Sequence, residues 1–95
     1  MTDINEKELL LRIAEGDEPA FHSIYLRYFG KVYGMSLSYL PDVFMAQDIV
    51  QEVFARVWLN RAELPGIRNM EAWIITIARN LLIKSLRKIY PSGWD

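Results

Sequence analysis

The chain has 95 residues, of which 52% are hydrophobic and 24% charged, and its formal net charge is −1 at pH 7. This composition is typical of one folded globular domain and excludes a disordered chain. The absence of cysteine excludes a disulfide framework, a thiolate metal site and a cysteine nucleophile. No apolar run approaches the roughly 20 residues that cross a bilayer, and the acidic N-terminus is unlike a signal peptide. We therefore expect a cytoplasmic protein.

Apolar periodicity predicts four helices and no strand, that is, an all-α bundle. The first helix covers residues 6–15 and ends at Gly16. The second covers residues 19–40 and has two apolar rows, so we expect it to be central and buried on two sides. The rows are Phe21, Ile24, Tyr25, Tyr28, Val32, Met35 and Tyr39, and Leu26, Phe29, Tyr33 and Leu37. Gly30 and Gly34 would allow another helix to approach closely.

Asp17, Asp42 and Asn69 precede the second, third and fourth helices and are suited to cap them. The third helix covers residues 43–60 and the fourth runs to residue 88. The intervening "AELPGIRN" contains a Pro-Gly pair, so we expect a loop there. Short connections between these helices predict a compact antiparallel arrangement.

The third helix has two different faces when its residues are placed at about 100° intervals. Its inward face consists of Ile49, Val50, Val53, Phe54, Val57 and Trp58. Its outward face consists of Asp48, Gln51, Glu52, Ala55 and Leu59. An ordinary solvated face with one stray leucine would explain this pattern. The alternative is a protein-docking surface on which acids steer a basic partner and leucine adds apolar contact.

The fourth helix carries a polar stripe opposite its apolar face. Its inward residues are Met70, Ile74, Ile77, Ala78, Leu81 and Leu82. The stripe consists of Thr76, Asn80, Lys84 and Arg87, with Trp73 pointing into it and Arg79 and Lys88 on its flanks. Aromatic rings that stack on bases and cations that contact phosphates are what single-stranded nucleic acid requires. The alternative is that the tryptophan packs on a neighbouring helix and the cations are merely solvated.

Charge is unevenly distributed along the chain. The first 20 residues carry the acids Asp3, Glu6, Glu8, Glu15, Asp17 and Glu18 against two bases, Lys7 and Arg12. The segment 68–88 carries the bases Arg68, Arg79, Lys84, Arg87 and Lys88 against a single acid, Glu71. The basic segment could therefore face a polyanion, or the acidic and basic helices could attract each other within the fold.

No catalytic constellation is recognisable. His22 is the only histidine and is expected at the surface, and no glycine-rich phosphate loop occurs. Asp48 and Glu52 lie one helical turn apart, but two carboxylates alone are a poor metal site. We therefore expect a protein that is not an enzyme and has no metal or cofactor.

Three stretches resemble the N-terminal domain of the extracytoplasmic-function (ECF) group of bacterial sigma factors. They are "AEGDEPAFHSIYLRYFGKVY", "AQDIVQEVFARVW" and "MEAWIITIARNLLIKSLRK". Their order and spacing match the family over residues 9–88. The resemblance implies an all-α sigma region 2 domain over residues 1–90 and the start of a linker at residues 91–95. It also implies that the helix-turn-helix domain that reads the minus-thirty-five element lies outside this chain.

The resemblance assigns the outward face of the third helix to core RNA polymerase. In this family the matching helix docks on the coiled coil of the largest subunit through a D-x-x-Q-E pattern. Asp48, Gln51 and Glu52 match that pattern, and Ala55 and Leu59 extend the same face. An anti-sigma factor that holds the protein at the inner membrane is a further partner typical of the family.

The resemblance assigns the fourth helix and the preceding loop to the non-template strand of the minus-ten promoter element. Asn80 would contact an extruded base, Trp73 would form part of its wall, and Thr76 lies on the same stripe. The implied contacts on either side are Arg68, Asn69, Arg79, Lys84, Arg87 and Lys88. The implied flipped-base loop consists of Glu63, Leu64, Pro65, Gly66, Ile67 and Met70. The competing hypothesis is a helical adaptor that uses the Asp48 face to bind a protein and never contacts DNA.

Overall fold

The computed structural model describes residues 5–91, which form four α-helices and one 3₁₀ helix without any strand. The helices are α1 (Glu6–Ala14), α2 (Glu18–Tyr39), α3 (Val43–Leu59), the 3₁₀ helix (Arg61–Gly66) and α4 (Met70–Ile89). The predicted all-α bundle is confirmed, and the predicted boundaries of the four α-helices are correct to within one residue. No helix among the described residues is long and apolar enough to cross a membrane.

The predicted N-caps are confirmed. The carboxylates of Asp17 and Asp42 and the amide oxygen of Asn69 each accept a hydrogen bond from the backbone N–H three residues further on, at 3.0, 2.8 and 3.0 Å. Asn5 caps α1 in the same way, at 2.9 Å. Each cap satisfies an N–H that the helix leaves unpaired and is worth about 1 kcal/mol. Short polar residues therefore set where each helix begins.

Gly16 produces the sharp turn between α1 and α2. Its φ is +94°, a left-handed conformation that side chains with a Cβ rarely adopt. The Gly16 N–H donates to the Ile13 carbonyl at 2.8 Å, and the Asp17 N–H donates to the Arg12 carbonyl at 3.1 Å. This pair of bonds is the Schellman motif, which satisfies the last carbonyls of a helix. Asp17 then caps α2 immediately after it has closed α1.

α2 is the centre of the fold, because α1, α3 and α4 all pack against it. α3 also packs on α4, and the 3₁₀ helix packs mainly on α1 and to a smaller extent on α3. The rings of Tyr25 and Phe54 join α2 to α3 edge to face, with centroids 4.8 Å apart. The apolar side chains that the core buries most completely are Ile13, Ile24, Val32, Val53, Val57, Leu64, Ile74 and Leu82.

The second apolar row of α2 is less buried than its sequence predicts. Leu26 and Leu37 are 63% and 41% exposed, since the three neighbouring helices cover other parts of the α2 surface. Tyr25, Phe29 and Tyr33 are half-buried, as partly covered side chains at the edge of the core. The expected close helix approach at the two glycines of α2 is wrong, because a Cβ added to either would have no neighbour within 4 Å.

The segment expected to be an irregular loop contains the 3₁₀ helix. Its Glu63 N–H donates to the Asn60 carbonyl at 2.9 Å, and the Ile67 N–H donates to the Leu64 carbonyl at 3.0 Å. The Leu64 side chain is fully buried in the common core. Burial of this one leucine attaches the segment to the core and thereby fixes the connection that leads into α4.

Leu64→Ala is expected to lower the free energy of unfolding by about 2–5 kcal/mol, because it leaves a cavity in a closed core. Urea denaturation followed by circular dichroism measures this change. Leu59→Ala is the matched control, since the Leu59 side chain is 75% exposed five residues earlier. Equal effects of the two substitutions would contradict the anchoring role of Leu64.

α1 is attached to α2 by a small polar cluster. Glu6 accepts hydrogen bonds from the Arg27 guanidinium at 3.1 Å and from the Tyr28 hydroxyl at 2.5 Å. Burial, the hydrogen bond to Glu6 and the negative charge of that carboxylate together raise the pKa of Tyr28 well above its ordinary value of 10.0. The neutral phenol is therefore the form that the folded state stabilises.

Stability should consequently fall in alkaline solution through Tyr28. Below about pH 10 the phenol is protonated in both folded and unfolded chains, so its full contribution is present. Above that pH the unfolded chain releases the proton while the folded chain retains it, and the contribution is lost as pH rises towards the folded pKa. Thermal melts between about pH 9 and pH 11.5 should show a shallower decline for Tyr28→Phe than for the parent. Tyr90→Phe, at an exposed position, should keep the parent slope.

Candidate functional site

The outward face of α3 is exposed along its whole length. We define the docking face as Asp48, Gln51, Glu52, Ala55 and Leu59, all of which are exposed. The opposite side of α3 fills the core with the predicted inward residues, of which Trp58 alone is only half-buried. No neighbouring helix within residues 5–91 covers the docking face, so it can meet a partner as it stands.

The two acids of the docking face have different surroundings. The Glu52 carboxylate accepts a hydrogen bond from Nε of Arg56 at 3.2 Å, and both side chains are about half exposed. Such surface pairs contribute little to stability, so a partner can replace Arg56 at low energetic cost. Asp48 has no salt bridge within the described part of the chain. Its charge is the more available of the two for steering a basic partner.

An aromatic cleft borders the docking face, and it was not identified from the sequence. The cleft lies between α2 and α3, has a volume of about 320 Å³ and includes Gln51 in its lining. Tyr25, Phe29 and Tyr33 form its α2 side. The only sequence signal was the second apolar row of α2, which we had expected to be buried in the core. The cleft extends the surface beside Gln51 from α3 onto α2.

A second, larger cleft of about 530 Å³ continues along the same two helices. Phe21, His22, Tyr25 and Trp58 line it together with Glu18. The ring of Trp58 is packed edge to face by Phe21 at 5.2 Å and is covered on one side by the Arg61 guanidinium at 4.4 Å. His22 is exposed, as expected, and stacks on Tyr25.

The polar stripe of α4 is exposed as predicted. Thr76, Asn80, Lys84 and Arg87 lie in solvent, and so do Arg79 and Lys88 on the flanks. Within residues 5–91, none of the cations of the segment 68–88 forms a salt bridge. The described acids of α1 do not pair with them, so attraction between the acidic and basic helices does not account for the uneven charge. We call this stripe, with its flanking cations, the basic stripe.

Trp73 lies at the boundary between the core and the basic stripe. Its indole is half-buried and packs against the hydrophobic core, while the remainder is accessible. Both interpretations of this residue are therefore partly correct: the ring helps to close the bundle and still presents a surface. A tryptophan held by the core in this way is oriented before any ligand arrives.

The residues assigned to the flipped-base loop do not share one environment. Glu63 and Gly66 are exposed, and Pro65 and Ile67 are half-buried. Leu64 and Met70 are 0% and 2% exposed, so the expectation that they contact DNA requires correction. The spacing of residues in a short loop does not reveal which side chains point inward. These two residues anchor the loop, and only the remaining four are placed to contact a ligand.

A shallow groove of about 410 Å³ runs along the first turns of α4. Asn69, Thr76 and Arg79 line it together with Glu71, Ala72 and Ile75. The Thr76 hydroxyl donates to the Ala72 carbonyl at 2.8 Å, which leaves the hydroxyl oxygen free to accept a hydrogen bond from a ligand. Arg68, just before this groove, is exposed. No group of three or more potential metal ligands occurs among the described residues.

An all-α bundle with an acidic docking helix and a basic helix next to an anchored loop defines the region 2 class of bacterial transcription initiation factors. The family model described as "Sigma-70 region 2" matches residues 24–90, which include most of α2 and all of α3, the 3₁₀ helix and α4. The chain belongs to the sigma-70 region 2 family. It is a transcription initiation factor domain, and the family is not enzymatic.

Curated relatives narrow the class to ECF sigma factors, which confirms the resemblance. The chain is 34% identical over 85 residues to the ECF RNA polymerase sigma factor SigW of Bacillus subtilis, which covers 90% of this chain and 46% of the relative. It is 30% identical over 80 residues to the ECF RNA polymerase sigma factor SigK of Mycobacterium tuberculosis (strain H37Rv), covering 83% and 43%. The RNA polymerase sigma-H factor of Pseudomonas aeruginosa is 29% identical over 80 residues, covering 84% and 42%.

The chain thus spans less than half the length of each of these relatives. No solved structure matches it significantly.

Proposed function

We propose that the domain docks on core RNA polymerase through α3 and binds the non-template strand of the minus-ten promoter element through α4. The observation that carries this proposal is the simultaneous exposure of the docking face and the basic stripe on two helices that share one core. Either surface alone would be an ordinary solvated helix face. Together, in a sigma-70 region 2 domain, they provide contacts for a protein and for a nucleic acid.

The chemistry of the docking face suits a basic helical partner such as the coiled coil of the largest polymerase subunit. Asp48 and Glu52 supply negative charge, Gln51 supplies an amide, and Leu59 supplies exposed apolar area. Ala55 keeps the centre of the face flat, so another helix can lie against it. Charge complementarity would steer the encounter, and the apolar contact would lengthen the life of the complex.

The chemistry of the basic stripe suits an unpaired strand. The accessible part of Trp73 offers a stacking surface, and the Asn80 amide can hydrogen-bond to a base edge in a way that one donor and one acceptor specify. Arg79, Lys84 and Arg87 are free to contact phosphates. A net charge of −1 implies weak binding by the isolated domain, and its affinity should fall as salt rises.

Melting of the duplex is part of the same proposal. An extruded base must be unstacked, at a cost of roughly a few kcal/mol, before a pocket can hold it. The loop that would receive the base is attached to the core by Leu64, so its exposed residues Glu63 and Gly66 start from a defined position. A preformed loop avoids the cost of ordering the receptor at the moment of binding.

Asp48→Arg combined with Glu52→Arg should weaken binding to the coiled coil of the largest polymerase subunit by at least 10-fold, or about 1.4 kcal/mol. Charge reversal turns steering attraction into repulsion on an otherwise unchanged helix face. Fluorescence anisotropy of the labelled domain titrated with the coiled coil measures the dissociation constant.

The matched control for this substitution pair is Glu8→Arg combined with Glu15→Arg. Glu8 is as exposed as Glu52 and likewise pairs with an arginine one turn later. The control has the same net charge but leaves α3 intact, and it should bind nearly as tightly as the parent. Parent-like affinity of the folded α3 variant would refute the docking assignment.

Trp73→Ala combined with Asn80→Ala should abolish binding of a minus-ten-like single strand by the polymerase complex, while polymerase binding itself remains intact. The pair removes the stacking surface and the base-edge contact together. Crosslinking of a labelled non-template strand in the assembled complex measures the loss. Because Trp73 also packs on the core, Asn80→Ala alone should be measured too, with circular dichroism of each variant to verify folding.

The adaptor hypothesis makes the opposite forecast for this experiment. An adaptor would show unchanged strand binding and unchanged promoter opening after loss of Trp73 and Asn80. Regulation can be proposed on the same basis: an anti-sigma factor that covered either surface would compete directly with polymerase or with DNA.

A further inference from the structure

The single acid of the basic segment is engaged by a lysine from another helix. Glu71 is the only acid in residues 68–88 and lies in the first turn of α4. Its carboxylate accepts a hydrogen bond from Nζ of Lys31 on α2 at 2.6 Å. The two residues are 40 positions apart in sequence, so only the folded bundle brings them together.

Fold stability does not account for this ion pair. The side chains of Lys31 and Glu71 are 54% and 51% exposed, and pairs this accessible contribute little to stability because water and salt screen them. α2 and α4 are already held together through a shared apolar core that includes Val32 and Ile74. The pair can therefore open without loss of the bundle.

The position of the pair is more informative than its strength. Glu71 lines the groove on α4 that also contains Asn69, Thr76 and Arg79. Lys31 consequently stands at the edge of that groove on the α2 side. A phosphate group entering the groove beside Arg79 would meet both a carboxylate that repels it and an ammonium group that attracts it.

We propose that Lys31 is a further nucleic-acid contact and that Glu71 is a built-in competitor for it. When a strand binds, Lys31 exchanges the Glu71 carboxylate for a backbone phosphate, and the binding surface then extends from α4 onto α2. In the free domain Glu71 neutralises this lysine and reduces attraction for nucleic acid in general. This inference rests on the proposed binding of a single strand by α4.

The test uses the whole chain, a fluorescein-labelled single strand of minus-ten-like sequence, and anisotropy titrations over a range of low salt concentrations. Glu71→Gln should tighten binding by about 3–10-fold. It should also steepen the slope of log affinity against log salt concentration by about 0.7, the value for one additional phosphate contact on a single strand. Glu52→Gln is the matched control, because Glu52 is equally exposed and paired on α3, and it should change neither quantity.

Lys31→Ala identifies the residue responsible. In that background Glu71→Gln should no longer steepen the salt slope, because the released cation is missing. An unchanged slope and affinity for Glu71→Gln in the parent background would overturn the proposal. An equal gain with and without the lysine would also overturn the role of Lys31, since Glu71 would then act only by repelling phosphate.

Failure of this inference can be told apart from failure of the proposed function. If Asn80→Ala weakens strand binding while Glu71→Gln does not strengthen it, α4 binds the strand and Lys31 takes no part. If Asn80→Ala has no effect on a strand that the parent binds, the proposed base contact is itself wrong, and the pair loses its assigned ligand. Thermal melts of each variant should stay close to the parent, as expected for exposed positions.

Discussion

Burial of one side of α3 and one side of α4 in a core shared with α2 is the constraint on which the functional surfaces depend. Val53 and Val57 on α3, and Ile74 and Ala78 on α4, are completely enclosed. Because side chains on a helix recur at spacings of three and four, enclosing these residues directs the opposite residues outward. The docking face and the basic stripe are therefore consequences of core packing. A shift in the rotation of either helix would bury polar groups and expose apolar ones simultaneously.

The 3₁₀ helix links these two surfaces. It begins two residues after α3 ends and finishes four residues before α4 begins. Its Leu64 occupies the core, and α1 packs on it from the other side. α1 is in turn held to α2 through Glu6. The N-terminal acidic helix thus supports the loop that precedes the basic helix by packing and by contacts with α2, and not by pairing with the bases of α4.

The sequence was sufficient for the features that depend on local rules. Asp17, Asp42 and Asn69 marked the helix starts because a side-chain cap acts within three residues, and helical spacing separated the two faces of α3 and of α4. Features that depend on distant neighbours were not predictable. The exposure of Leu26 and Leu37 follows from where the other helices lie. The burial of Leu64 and the contact between Lys31 and Glu71 arise only when remote segments meet.

The two glycines in the middle of α2 have a consequence for the energetics of the domain. Gly30 and Gly34 are exposed, and no atom is close enough to require the absence of a side chain there. Each leaves the helix less stable than alanine would, by about 1 kcal/mol, with nothing in residues 5–91 that offsets the loss. α2 is therefore a long helix whose midpoint opens more readily than its length suggests, and the domain operates below the thermal tolerance that its own architecture permits.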